Sequence, residues 1–207
     1  MKTKKLITLA LSVAMISAAF VTVSAATLTE EQQDGKTEVT ARINGGVPDG
    51  ITYEIIIPDV IDFGDLTQPD SNTDSYKIVD YSVTLEKVNG LDENTQQISV
   101  YVKDQNATPD GNQDFKIANK ENSAITFKYD VYDTLVSEQD LPTFHSLNYN
   151  TMTKTKGFYL TGFTFEGQEL KGTLAINQSQ LYGRDILDIA GDYSGYMVFY
   201  STVEDIT

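Results

Sequence analysis

Two loops of this chain carry side-chain oxygens at alternate positions, a spacing that could bind a metal ion. Asp104, Asn106 and Asp110 fall in one loop and Asp114 follows them, and residues 70–74 repeat the spacing. Calcium prefers such hard oxygen ligands. Neither loop has the glycine at position six or the glutamate at position twelve of an EF-hand. The pattern predicts either a calcium site at Asp104, Asn106, Asp110 and Asp114 or a solvated turn, and no other cofactor.

The chain contains few of the residue types that common classes of active site need. His145 is the one histidine, and a Ser-His-Asp arrangement would need it as the general base. It lies in a weakly patterned segment without the glycines of a nucleophile elbow. The chain has no cysteine, which disfavours a zinc or copper site, and no tryptophan, which disfavours the aromatic platform of a glycoside hydrolase cleft. We therefore predict no catalytic residue and no enzymatic activity.

The charge of the chain excludes some classes of partner. The 207 residues carry a formal net charge of -15. A surface that acidic repels phosphate backbones and anionic lipid head groups. Nucleic-acid binding is therefore not expected, and basic proteins or cations are the partners that such a charge favours.

The first 26 residues have the layout of a secretory signal peptide. Three lysines within the first five residues precede an uncharged, mostly apolar run over residues 6–23, and Ser24, Ala25 and Ala26 offer a cleavage site. The alternative is a retained transmembrane helix, since the run has about the right length. We expect cleavage, a mature protein that is secreted or cell-surface associated, and no membrane segment after cleavage. Without cysteine, neither disulfides nor a lipid anchor on an N-terminal cysteine can form.

Apolar residues at every second position dominate the chain after a polar arm at residues 27–35. Turn residues separate these alternating runs, which is typical of a sandwich or barrel. Residues 181–189 could hold a turn of helix, and residues 133–156 form a long, weakly patterned insertion or loop. We predict one all-β domain over residues 27–207, an antiparallel Ig-like β-sandwich of eight or nine strands. Its predicted core residues are Ile55, Ile57, Val83, Leu85, Val100, Phe127, Tyr129 and Val131.

Three segments carry a resemblance to a known group of proteins. They are residues 1–7 (MKTKKLI), residues 55–66 (IIIPDVIDFGDL) and residues 191–199 (GDYSGYMVF). The chain resembles secreted β-sandwich surface proteins of Gram-positive bacteria, of the WxL or pilin type, although the WxL signature is absent because there is no tryptophan. The resemblance implies a structural or adhesive role and carries over no catalytic residue.

The sequence thus predicts a secreted or cell-surface structural or adhesive protein, with a pilin-like subunit as one form of it. The alternative is an extracellular module that binds glycans or peptides on a tyrosine-lined patch. A further hypothesis concerns self-association by strand addition, because residues 193–200 are uncharged and strongly β-forming. Residues 37–43 of another copy could pair with this segment if it lies at an edge, and open fibres would result. The segment could equally be a strand buried within its own sheet.

Overall fold

Nine strands make up two antiparallel sheets in the part of the chain that the computed structural model describes. That part comprises residues 50–108, 113–150, 152–153 and 155–206. The strands are β1 (Thr52–Ile56), β2 (Tyr76–Asn89), β3 (Gln96–Asp104), β4 (Phe115–Asn119), β5 (Thr126–Tyr132), β6 (Phe158–Phe163), β7 (Glu169–Asn177), β8 (Tyr193–Ser194) and β9 (Met197–Asp205). The larger sheet has the order β1-β2-β7-β5-β4-β8 and the smaller one β6-β3-β9. The predicted signal peptide (1–26) and arm (27–35) lie outside the described residues and stay predictions.

A single apolar core lies between the two sheets. Val83 and Phe127 enter it from the larger sheet, and Val100 and Phe158 enter it from the smaller one. The rings of Phe115 and Phe158 lie 5.8 Å apart and join the two layers. The predicted core residues that are buried are Val83, Leu85, Val100, Phe127, Tyr129 and Val131, whereas Ile55 and Ile57 are half-buried. The predicted β-sandwich is therefore confirmed.

β3 is buried on both of its faces. Its apolar positions Ile98, Val100 and Val102 face the core, but Ser99 and Tyr101 on the opposite face are also buried. β3 is the middle strand of the smaller sheet, and side chains of its neighbours cover its outer face, as described below.

The last apolar run of the chain, over residues 193–203, is two strands and not one. β8 pairs with β4 in the larger sheet, and β9 pairs with β3 in the smaller one. Gly195 lies at the crossing, where a Cβ atom would come within 2.2 Å of the carbonyl oxygen of Lys116. Only glycine allows this close approach of two backbones, so the chain changes sheet there.

The segment predicted as a large insertion, residues 133–156, lies partly on the outer face of the larger sheet, whereas its residues Leu147 and Met152 belong to the main core. It contains two 3-10 turns, Leu141–Thr143 and Leu147–Tyr149. Val136 and Leu141 pack with Tyr132 and Ala175 in a second apolar cluster. The predicted helical turn near residue 189 is present as a short helix, α1 (Ile186–Ile189). Among the residues described, no helix combines the length and the apolar character needed to cross a membrane.

Candidate functional site

The predicted calcium ligands are only partly brought together. Asp104 is buried, and its two carboxylate oxygens accept the backbone N–H groups of Asn106 (2.8 Å) and Lys116 (3.1 Å). These bonds tie the end of β3 to the start of β4. Asp114 forms an ion pair with Lys128 at 2.6 Å. Asp110 lies outside the described residues.

Within the described ranges, no three acidic or histidine side chains are placed so that they could hold a metal ion together. The calcium site stays a prediction, which a calorimetric titration of calcium into the protein tests.

Ser146 follows the exposed His145 in the sequence and forms a hydrogen bond with Asp130. The buried hydroxyl of Ser146 donates directly to Oδ1 of Asp130 at 3.1 Å, without a histidine between them. Burial raises the pKa of Asp130, and the hydrogen bond from Ser146 opposes that rise. The bond fixes the covering segment of residues 133–150 to β5, which is a structural role.

Three tyrosines cover the outer face of the smaller sheet. The ring of Tyr101 lies 5.6 Å from that of Tyr159 and 6.4 Å from that of Tyr200, measured between centroids. The Nζ atom of Lys156 lies over the Tyr101 ring, 5.2 Å from its centroid. We call Tyr101, Tyr159 and Tyr200 the tyrosine face. Tyr101 is only 6% exposed, whereas Tyr159 is 45% exposed.

A polar network closes one end of the tyrosine face. The hydroxyl of Tyr101 donates to Oε2 of Glu204 at 2.8 Å, and Lys156 forms an ion pair with Oε1 of the same residue. Burial, and then the hydrogen bond to Glu204, raise the pKa of Tyr101 to about 12. Burial opposes ionisation of Glu204, but hydrogen bonds from Lys156, Ser99 and Tyr101 outweigh it and lower the pKa of that carboxyl. The centre of this face is therefore covered by the protein's own side chains, and Tyr159 offers most of the open aromatic surface.

The outer edge of β9 is the more open feature. Within the described residues β9 pairs with β3 alone, over nine residues without a register shift. Residues 197–203 (MVFYSTV) contain neither charge nor proline. The free edge lies in Met197–Asp205 and not over residues 193–200, where the sequence hypothesis placed it, because β8 separates from β9 at Gly195. Residues 37–43, the donor in that hypothesis, lie outside the described ranges, so the hypothesis stays a prediction.

The backbone groups that face this edge follow from the pairing. Gln105 donates its N–H to the carbonyl of Tyr196, and Ile206 donates to the carbonyl of Thr95. Antiparallel strands alternate between residues that bond to the partner strand and residues that point away from it. Even-numbered residues of β9 therefore bond to β3, and the N–H and C=O groups of residues 197, 199, 201 and 203 point outwards.

The inward side chains of β9 are less covered than those of β3. Met197, Phe199, Ser201 and Val203 are half-buried, whereas the β3 residues that face the core are 0–1% exposed. The hydroxyl groups of Ser201 and Tyr53 lie 3.2 Å apart and place β1 above β9. Among the described residues, this side of the sandwich thus has both backbone groups without a partner strand and partly open apolar side chains.

The other edge strands of the described part are shorter or interrupted. β1 has five residues, a register shift between Glu54 and Ile55, and an ion pair of Glu54 with Lys87. β8 has two residues. β6 has six, and its pairing with β3 shifts register between Val100 and Tyr101. Short length, irregular pairing and charge are the devices by which proteins protect sheet edges, and β9 lacks all three over residues 197–203.

Comparisons with known proteins add little to this description. No protein-family model matches the chain, and no curated protein matches it. Among solved structures, the chain is similar to one from a structure described as "Chaperone-tip adhesin complex is vital for synergistic activation of CFA/I fimbriae biogenesis". The two are 14% identical with a TM-score of 0.46, and the match covers 72% of this chain and 41% of that chain. This chain thus spans less than half of that neighbour. A likeness of this size carries no argument, so the sandwich rests on the strands described above and the resemblance to Gram-positive surface proteins stays a prediction.

Proposed function

We propose that this protein is an extracellular, cell-surface-associated structural or adhesive sandwich that binds a protein partner by strand addition to the outer edge of β9. The observation that carries the proposal is a nine-residue edge strand that pairs continuously on one side and is uncharged over residues 197–203. Strand addition draws affinity from main-chain hydrogen bonds and specificity from alternate side chains. The proposal includes no catalytic activity.

The half-buried side chains of β9 define the kind of segment that would fit. An added strand would lie beside Met197, Phe199 and Val203 on its inner side and beside Val198 and Tyr200 on its outer side. Successive side chains of a strand point to opposite faces. The partner should therefore be an extended segment with apolar residues at every second position.

The alternative function is glycan or peptide binding on the tyrosine face. It is favoured by the 45% exposure of Tyr159, since an aromatic ring with an open face can stack against a ligand. Lys156 covers Tyr101, so the open platform is smaller than three tyrosines suggest. Tyr159→Ala separates the two functions, because it should abolish glycan or peptide binding and leave association at the β9 edge unchanged.

A pair of proline variants tests the β9 edge. Ser201→Pro removes an N–H group that points away from β3, so the strand should stay paired. Thr202→Pro removes an N–H that bonds to β3 and leaves a buried acceptor unsatisfied, which costs about 1–3 kcal/mol. Ser201→Ala is the matched control for the lost contact between Ser201 and Tyr53. The measurements are the melting temperature, sedimentation velocity over a range of protein concentrations, and adsorption to the envelope of the producing cells.

We expect Ser201→Pro to melt like Ser201→Ala but to lose association or adsorption by about tenfold or more, which corresponds to 1.4 kcal/mol. Thr202→Pro should melt at a lower temperature than either. A folded Ser201→Pro variant that associates and adsorbs like the parent would contradict the proposal.

A further inference from the structure

The uncharged part of β9 is centred on one residue, Tyr200, and could pair with a second copy of the same strand. Residues 197–203 are the uncharged stretch, and Tyr200 is its centre. We propose that β9 pairs antiparallel with β9 of a second copy about a two-fold axis at Tyr200. The inference rests on the proposed function in one respect, namely that β9 is an assembly edge.

The backbone groups satisfy the geometry of such a pair. A two-fold axis at Tyr200 places Met197 opposite Val203 of the second copy, and Phe199 opposite Ser201. These odd-numbered residues are the ones whose N–H and C=O groups point away from β3, so each opposed pair can exchange both hydrogen bonds. Tyr200 then faces Tyr200 of the second copy in the closer, non-hydrogen-bonded type of pair.

The side chains and charges agree with this register. Val198 lies opposite Thr202 of the second copy, and Glu204 lies beyond the uncharged stretch, opposite Tyr196. No like-charged residues face each other, which matters because like charges directly opposite destabilise a strand pair. The two acids at the end of β9, Glu204 and Asp205, are thus kept out of the centre of the interface.

Burial supplies a second argument. The inward side chains Met197, Phe199 and Val203 are half-buried in one copy, and a neighbouring strand would cover them further. On the outer side, the tyrosine face of one copy would continue through Tyr200 into that of the other, because a two-fold axis perpendicular to the sheet keeps both outer faces on the same side. Aromatic pairs of this kind are among the favourable cross-strand contacts. The product is a closed dimer and not the open fibre that a donor arm would form.

The absence of cysteine from the sequence makes disulfide trapping a clean test. Directly opposed residues of a non-hydrogen-bonded pair are close enough for a disulfide. The secreted protein carrying Tyr200→Cys, mildly oxidised, should form a covalent dimer as its main product. Tyr159→Cys is the matched control, since that tyrosine lies on the same face but on β6, and it should form no covalent dimer. Val198→Cys and Thr202→Cys should each form no covalent dimer alone and should cross-link when mixed.

The mixed pair also keeps the test valid if Tyr200→Cys fails to fold. A folded Tyr200→Cys variant that forms no covalent dimer on oxidation, together with a mixture of Val198→Cys and Thr202→Cys that does not cross-link, would overturn the two-fold pairing. Cross-linking of Tyr200→Cys to Ala41→Cys instead would overturn it too, because residues 37–43 would then occupy the edge.

These failures are distinguishable from failure of the proposed function. If Ser201→Pro abolishes association or envelope adsorption while the cysteine variants do not cross-link, β9 is a binding edge for another partner and only the two-fold pairing is wrong. If Ser201→Pro changes neither measurement, both are wrong.

Discussion

β1 and β9 are edge strands on the same side of the sandwich, and they are protected very differently. The contact between Tyr53 and Ser201 shows that they lie against each other. β1 is short, shifts register at Glu54 and carries an exposed ion pair, whereas β9 is nine residues long and pairs without interruption. The features that protect the β1 edge, namely short length, irregular pairing and charge, could equally occur on β9. The open β9 edge is therefore not an unavoidable consequence of the fold, which is why we assign the function to it.

The ion pairs on the two strands show the same contrast. Lys87 and Glu54 are 57% and 52% exposed, as is typical of a surface pair that contributes little to stability. Lys156 and Glu204 are 32% and 26% exposed, and Glu204 also accepts the hydroxyl of Tyr101. The Glu54–Lys87 pair places charges on β1 and its neighbour β2, whereas the Lys156–Glu204 pair lies at the end of β9 and leaves residues 197–203 without charge.

The largest expected effect sharpens the contrast between core and edge. Phe127 is fully buried, so Phe127→Ala should lower the free energy of unfolding by about 3–5 kcal/mol. Phe199, at a half-buried position of β9, should lose only about 1–2 kcal/mol on the same change, because part of its ring is already in water. Chemical denaturation of both variants, in protein dilute enough to exclude association, measures the difference. Equal losses would show that the inner face of β9 is as closed as the core.

A smaller effect concerns the end of β9 and depends on pH. The pKa of Glu204 is lowered in the folded protein, so its ionised form stabilises the fold above the pKa of the unfolded chain. That contribution is lost as the pH falls from the ordinary carboxyl range through the lowered pKa. Glu204→Gln should therefore melt below the parent at pH 7, and its melting temperature should approach that of the parent at acid pH, once the lowered pKa has been passed.

Glu93→Gln is the control for this experiment, because Glu93 is an exposed carboxyl in the turn before β3. It should melt like the parent at both pH values. A constant gap between Glu204→Gln and the parent across the whole pH range would mean that packing, and not charge, accounts for the loss.

The sequence predicts the sandwich well because burial on one face imposes alternation on each strand. Val83, Leu85, Phe127 and Val131 could be assigned to the core from that alternation alone, and all are buried. Alternation fails for Tyr101, whose cover comes from Tyr159 and Lys156, residues more than 50 positions away. A local pattern does not contain contacts between distant strands.

For the same reason, the sequence predicts only part of the candidate site. The uncharged stretch near residue 200 marks a strand that could pair, and the sequence hypothesis used it. Whether that strand is central or at an edge depends on the sheet order β6-β3-β9, which brings together strands from three parts of the chain. The separation of β8 from β9 at Gly195 follows only from the position of Lys116 in the fold.

The smallest expected effect concerns β1, whose edge is protected either by charge or by its register shift. The double variant Glu54→Thr, Lys87→Thr removes the charge from that edge and should change the melting temperature little, since an exposed ion pair contributes little to stability. Made in the Ser201→Pro background, where β9 is blocked, it reports on β1 alone. We expect the triple variant to stay monomeric in sedimentation velocity, because five residues with a register shift between Glu54 and Ile55 cannot present an even row of backbone groups. Association of the triple variant, with Ser201→Pro itself monomeric, would show that charge is the protecting device, and the difference between the two edges would then come down to the charge at Glu54 and Lys87.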